Sequence, residues 1–433
     1  MKEKFPIVQV ALDFTEIKRA LKVAKDAVSA GIEWLEIGTP LIKSEGVHTI
    51  RIFRKEFPKS RIIADMKIMD TGRLESEMAF KSGADIVVVM GNASDGTIRE
   101  AVEASFNYGG MVMVDLLEGA ATVKRAKEVE KLGAHYIGIH IPIDRQMKGS
   151  LSYDFIKEIT SAVGIPVAVA GGINSENVVE VIKSGASIVI VGGAITKSED
   201  VKKAVRVIKE AIEKKACIKT DLYKRVSFEN VKDVFNKVST ANISDALHRS
   251  GWLRDIFPVI EGIKMAGKAI TVRTYPGDWA KPVEAIDLAE EGDVIVIDAG
   301  GTGPAVWGEL ATNSGVIKKI GGVVIYGGVR DVEEIREMKL PVFAKVICPE
   351  AGEPKGFGEI NVPVRISGYT VRPGDWVVGD TDGVVLIPQE RVVEIANRAM
   401  DVLERENRLR KEIKDGGTLS SVMELLRWEK IKK

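Results

Sequence analysis

Apolar and polar positions alternate in blocks from residue 5 to about 214. Short β-branched runs (IVQVAL, RIIA, DIVVVM, MVMV, YIGIH, VAVA, SIVIV) stand between longer stretches such as TEIKRALKVAKDAVSAG and SENVVEVIKSG. The runs have the length of buried strands, and the stretches carry apolar residues at helical spacing. A weak repeat sharpens the reading: SAGIE (29–33), KSGAD (81–85), KLGAH (131–135) and KSGAS (183–187) recur about every fifty residues, each ahead of a strand. Its glycine suits the left-handed residue that closes a helix. Two strand–helix units per repeat and four repeats make eight, which predicts a (βα)8 TIM barrel over residues 1–215.

Beyond it the pattern changes. A lysine-rich connector, KKACIKTDLYKR (214–225), supplies a linker over 216–226, and two helical pieces follow, SFENVKDVFNKV and ISDALHRSG. Next come apolar runs set among Gly, Pro and Asp turns, including GDVIVIDAGG and GGVVIYGGVRD, and a charged helix over 390–412. This predicts an α+β domain with a mixed β-sheet over 227–433. Within it, GDTDGVVLIP (379–388) reads as a hairpin whose Asp-Gly suits positive φ.

Composition narrows the class. A chain of 433 residues with 45% apolar content builds more than one ordinary core. Its 29% charged residues cancel to zero net charge, so no broad field invites nucleic acid or an anionic membrane. Cys217 and Cys348 stand far apart and form no disulfide framework or zinc pattern. The N-terminal MKEKFPIVQVALDF has no long apolar segment, and no run of 18 apolar residues occurs. The expectation is a soluble cytoplasmic protein.

Catalytic groups of such barrels project from the C-terminal strand ends. Those ends are Asp13, Glu36, Asp65 with Lys67, Asp115, His140, Gly171-Gly172 and Gly192-Gly193. A glycine pair after the seventh and eighth strands leaves backbone N–H groups open to an anion and favours a phosphorylated substrate, although glycine also serves simple turns. Glu36, Asp65 and Asp70 near Lys67 read either as a hard-cation site suited to Mg²⁺ or as salt bridges tying strands together. Magnesium and an ammonium together stabilise an enediolate, and His140 is placed to move a proton.

QVALD, LEIGTPLIKSEG, ADMKIMD, IHIPIDRQMKG, AVAGGI and IVIVGGAI resemble 3-hexulose-6-phosphate synthase of the orotidine-monophosphate decarboxylase suprafamily, over residues 5–212. The resemblance implies Mg²⁺-dependent condensation of formaldehyde with ribulose 5-phosphate, or its reverse. It implies Glu36 and Asp65 as metal ligands, and Lys67 and Asp70 on the enediolate oxygens. Asp13 belongs to the same network, His140 transfers protons, and Gly171, Gly172, Gly192 and Gly193 hold the phosphate. The nucleotide decarboxylases of the suprafamily typically carry lysine where Glu36 stands. The 3-keto-gulonate-6-phosphate decarboxylases usually read His-Arg-Ser where this chain has His140-Ile141-Pro142, and the synthases commonly read His-Thr-Gly. The synthase reading is preferred and the decarboxylase is the alternative.

In the second region, Arg330-Asp331 with Glu334 after an apolar strand reads as a turn salt bridge or as an anion-binding arginine beside a metal-binding carboxylate. VSTANISDAL, GELAT, GGVRDVEE and GDTDGVVLIP resemble the regulators of ribonuclease activity A and the class II 4-hydroxy-4-methyl-2-oxoglutarate aldolases. The aldolase members imply Asp331 anchoring a second divalent metal and Arg330 stabilising a pyruvate enolate, as in an oxaloacetate decarboxylase. Backbone amides near Gly308, Glu309 and Leu310 would hold the carboxylate. The regulators imply a ribonuclease or other protein partner instead. Both families imply a homo-oligomer.

Overall fold

A computed structural model of the chain describes residues 5–117, 121–140, 154–220, 226 and 228–422. Eight parallel strands close the first unit: β1 (Ile7–Leu12), β2 (Trp34–Ile37), β3 (Arg61–Ile68), β4 (Ile86–Met90), β5 (Met111–Leu116), β6 (Tyr136–His140), β7 (Val167–Ala170) and β8 (Ile188–Val191). Each strand pairs with the next, and β8 returns to β1 with Val191 opposite Val10. Helices at Ile17–Ser29, Asp95–Tyr108 and Val201–Lys214, among others, form the outer wall.

Alternation along each strand divides two cores. Leu35, Ile62, Val87 and Val169 point outward and pack under the helices. Trp34, Ile63, Val88, Met113, Tyr136, Ala168 and Ile190 fill the barrel, with Trp34 and Tyr136 edge-to-face at 5.8 Å. These side chains occupy the interior below the C-terminal strand ends.

The four repeats end their helices identically. Gly31, Gly83, Gly133 and Gly185 all have positive φ, between 92° and 106°. Each glycine N–H bonds back to the third residue before it, and the following N–H (Ile32, Ala84, Ala134, Ala186) reaches the fifth residue before it. These paired bonds satisfy carbonyls that a helix end leaves orphaned and aim the chain into the next strand.

The second unit carries a mixed sheet. Its strands are β9 (Phe257–Pro258), β10 (Met265–Arg273), β11 (Val294–Asp298), β12 (Ala305–Trp307), β13 (Gly322–Val329), β14 (Val342–Ile347), β15 (Glu359–Ile360), β16 (Val364–Ile366), β17 (Tyr369–Val371), β18 (Trp376–Asp380) and β19 (Gly383–Ile387). Strands β10, β11, β13 and β14 run parallel at its centre, while β9, β15, β18 and β19 pair antiparallel around them. Asp380 faces Gly383 across a two-residue hairpin, as the GDTDG segment predicts, and Gly383 has φ 127°.

The charged segment near the end forms one helix, Val392–Lys414. By contacts, the described residues from Arg405 onward group with the barrel unit, and those from 226 to 404 form the other. Arg408 donates to the Thr196 carbonyl at 3.0 Å and Lys411 to that of Glu199 at 3.1 Å. Among the described residues no helix is long and apolar enough to cross a membrane.

Candidate active site

The pattern that fills the barrel also loads its mouth. On β1, Gln9, Ala11 and Asp13 share the inward face; on β2, Trp34 and Glu36; on β3, Ile63 and Asp65; on β5, Met113 and Asp115. Glu36 is in register with Ala11 and Ile63, which puts Asp65 one inward step above it on the adjacent strand. Small neighbours leave room: an added Cβ at Gly38 would run into Asp13 Oδ1, and one at Gly138 would stand 3.3 Å from Asp115 Oδ1.

Lys67 organises the acids. Its Nζ lies 3.2 Å from Asp65 Oδ2 and 3.2 Å from Asp115 Oδ2, with both carboxylates nearly buried. The lysine reaches them from a left-handed backbone, φ 48°, a conformation a non-glycine residue holds only under surrounding constraint. Thr39 Oγ1 makes 2.8 Å contacts to Asp65 Oδ2 and to the Asp65 carbonyl. Gln9 Nε2 donates to Glu36 Oε2 at 2.5 Å.

Electrostatics follow from this crowding. Burial, then the charges of Asp65 and Asp13, push Glu36 well above the ordinary carboxylate range, against the opposing pull of the Gln9 hydrogen bond and Lys67. Asp13 keeps access to solvent at the mouth, yet the rim around it raises its pKa through desolvation first and Asp65 second. Coulombic contributions from His140 and then Lys67 act against that rise. Burial pulls Lys67 down, but Asp65 and Asp115 outweigh it and hold the ammonium above its ordinary value.

Asp70 departs from the expected cluster. It sits past the end of β3, exposed, with Oδ1 accepting the Thr71 N–H at 2.8 Å, and no hydrogen bond or ion pair joins it to Lys67 among the described residues. The pairing of β3 with β4 shifts register between Ala64 and Ile68, and Asp70 follows two residues after the strand ends at Ile68. Asp115, read from sequence only as a strand end, takes up the second carboxylate contact with Lys67. The strand pattern singles out neither Gln9 nor Thr39; the one sequence signal for the first is an amide inside the apolar run IVQVAL.

Of the two sequence readings, the strand-tying salt bridge is the one seen directly. Lys67 does tie β3 to β5 as a salt bridge. Glu36 and Asp65, on adjacent strands, put carboxylate oxygens on the same rim. Among the described residues no three His, Cys, Asp or Glu side chains form a ready-made metal cage. Two carboxylates still fit Mg²⁺, which retains waters and completes its shell with substrate oxygens.

On the same rim, Gly171 and Gly172 have φ 113° and 66°, and the Gly172 carbonyl accepts from Asn177 Nδ2 at 2.9 Å. Gly192 caps the short helix Gly193–Thr196. These turns present backbone where β7 and β8 end. Ile141 and Pro142, the segment after His140, lie outside the described residues.

The model of the orotidine 5′-phosphate decarboxylase / HUMPS family matches residues 6–208. The 3-hexulose-6-phosphate synthase of Methylomonas aminofaciens is 37% identical over 195 residues, 45% of this chain and 93% of its own length. The chain belongs to the orotidine 5′-phosphate decarboxylase / HUMPS family. A second 3-hexulose-6-phosphate synthase, from Mycobacterium gastri, is 37% identical over 205 residues, 47% of this chain and 99% of that enzyme. A crystal structure of 3-hexulose-6-phosphate synthase superimposes with a TM-score of 0.46 at 36% identity, over 48% of this chain and 99% of that one. The HUMPS-family barrel accounts for under half of the chain, and a second model, RraA-like (Aldolase/RraA), matches residues 240–386.

In that Aldolase/RraA domain the turn after β13 meets the end of β12. Arg330 N–H donates to the Trp307 carbonyl, and Arg330 Nε lies 3.4 Å from Asp331 Oδ2. Asp331, at φ 57°, accepts the Glu309 N–H at 3.1 Å, so it caps the helix Glu309–Lys318 from the turn after β13. The structure therefore brings Gly308, Glu309, Arg330 and Asp331 together. Leu310 and Glu334 are exposed, and among the described residues Asp331 belongs to no group of three metal-ligating side chains.

Proposed function

We propose that the barrel is a 3-hexulose-6-phosphate synthase, an Mg²⁺-dependent aldehyde-lyase that joins formaldehyde to D-ribulose 5-phosphate or runs the reverse. The observation that carries this is the Asp65–Lys67–Asp115 array beside Glu36 and Asp13, on a chain 37% identical to synthases through its barrel.

Backbone N–H groups of Gly171, Gly172, Gly192 and Gly193 receive the substrate phosphate and orient the pentulose. Loss of a C1 proton from ribulose 5-phosphate leaves the 1,2-enediolate; C1 then attacks formaldehyde, and its oxygen takes a proton to become a hydroxyl. No atom leaves. Lys67, preorganised between two carboxylates, faces the developing negative charge without having to reorganise. His140, at the end of β6, moves the proton. Mg²⁺, held by Glu36 and Asp65, would supply Lewis-acid stabilisation of the substrate oxygens.

For the Aldolase/RraA domain the reading is a pyruvate-class site. Arg330 steadies the enolate, Asp331 anchors a divalent metal, and amides at Gly308, Glu309 and Leu310 take the carboxylate. Exchange of pyruvate methyl protons in D₂O with Mg²⁺ is expected and is lost in Arg330→Ala. No exchange, with a ribonuclease bound instead, would make this half an interaction module.

The barrel reading is tested by incubating the full chain with ribulose 5-phosphate and Mg²⁺ in D₂O without formaldehyde. Deuterium is expected at C1 in the wild type and not in Asp65→Ala or Lys67→Ala. Equal exchange in all three proteins would remove these residues from the chemistry.

A further inference from the structure

Gln9 is an unusual residue for its place. It is fully buried inside the barrel, opposite Trp34 on β2 and Ile190 on β8, among side chains that are otherwise apolar. A buried amide without partners destabilises, so such a residue persists where its hydrogen bonds do something. Its Nε2 is committed to Glu36 Oε2 at 2.5 Å, while its Oε1 is buried with no partner. Ala11, the next inward residue on β1, is small enough to let the amide reach up to Glu36.

Among the described residues Gln9 is the hydrogen-bond partner of Glu36. A carboxylate with one oxygen held by an amide N–H has one oxygen free for coordination. Bidentate carboxylate binding is common for Ca²⁺, which accepts long bonds and six to eight ligands; Mg²⁺ demands short bonds in an octahedron and takes carboxylates one oxygen at a time. A neutral donor is also the right chemistry. A cationic side chain at this depth would neutralise Glu36, and a carboxylate would repel it.

Resting on the synthase reading above, we infer that Gln9 is a positioning residue that holds Glu36 as a one-oxygen ligand and thereby biases the site toward Mg²⁺ over Ca²⁺. Partners that orient a ligand from outside the metal's own shell are worth about 10–100-fold in affinity, which sets the size of the effect.

The test is calorimetric titration of the full-length protein with Mg²⁺ alone and with Ca²⁺ alone, for wild type, Gln9→Met and Gln9→Asn. Methionine keeps the volume and suits an apolar interior, and asparagine keeps the amide but shortens its reach. Both variants are expected to bind Mg²⁺ about 10–100-fold more weakly, with Ca²⁺ binding unchanged or tighter, so that the Mg²⁺/Ca²⁺ preference falls. In the Glu36→Gln background, Gln9→Met is expected to have no further effect on Mg²⁺ binding. An unchanged ratio in Gln9→Met overturns the inference while leaving the synthase reading intact. If Gln9→Met does not fold, an unchanged ratio in Gln9→Asn overturns it equally. Absence of Mg²⁺ binding in the wild type overturns the metal-dependent reading, and this inference with it.

Discussion

Lys67 matters most at the residue scale because its ammonium lies 3.2 Å from carboxylate oxygens of both Asp65 and Asp115. Lys67→Ala leaves two buried acids without their cation, so it is expected to cost stability, about 3–5 kcal/mol by denaturant titration, and to lower turnover about 10²–10³-fold. Glu36 behaves oppositely. Its raised pKa means the folded state holds the proton more tightly than the unfolded chain. The associated stability is present at pH below the ordinary glutamate value and is lost as pH rises through the raised one. Without metal at pH 8, Glu36→Gln is therefore expected to melt at or above the wild-type temperature, with the gap closing toward pH 4. Added Mg²⁺ is expected to raise the wild-type melting temperature and not that of the variant. A variant that melts lower at pH 8 and still responds to Mg²⁺ would count against Glu36 as a ligand. His135 shows the reverse sign. Burial lowers its pKa, and its Nδ1 accepts the Val112 N–H at 3.1 Å, which a proton there would prevent. That contribution is present above the ordinary histidine value and lost as pH falls through the lowered one. A melting curve from pH 7.5 to 5 is expected to fall more steeply for wild type than for His135→Asn.

At the scale of elements, the recurrent glycines were the most legible feature of the chain, since each marks a helix end that no L-residue closes without strain. The strain and the space separate cleanly. Gly109 ends Asp95–Tyr108 at φ 67° with open space where a Cβ would go, so Gly109→Ala is expected to cost about 1–2 kcal/mol in chemical denaturation. Gly185, at φ 97°, would drive its Cβ into the Thr160 side chain, and Gly185→Ala is expected to lose a further ~1–3 kcal/mol. Equal losses would mean the contact relaxes freely. Strand number was legible from the short β-branched runs standing between helical stretches, while the inward face was not, because residues on both sides of these strands are buried. What sequence did not disclose was the side-chain reach that selects partners across the mouth. Asp-x-Lys-x-x-Asp suggests three groups held together, yet Asp70 accepts the Thr71 N–H past the end of β3, and Asp115, forty-eight residues on, meets Lys67 instead. Gln9 was hidden by its context, an amide inside a run that reads simply as strand.

At the scale of the whole molecule, two units with separate cores carry two family resemblances, and each site is built from strand ends of its own unit. Arg330→Ala is accordingly expected to abolish any pyruvate proton exchange while leaving formaldehyde consumption unchanged. In the barrel, acids on neighbouring strands, a lysine between two of them and glycine turns beside them are proposed to serve an aldol reaction of a pentulose phosphate. The most direct measurement follows formaldehyde in a mixture of the full-length chain, ribulose 5-phosphate and Mg²⁺, with and without chelator, against a parallel assay of carbon dioxide released from 3-keto-gulonate 6-phosphate. Chelator-sensitive consumption of formaldehyde with no carbon dioxide release is the expected result. Carbon dioxide release with formaldehyde untouched would contradict it.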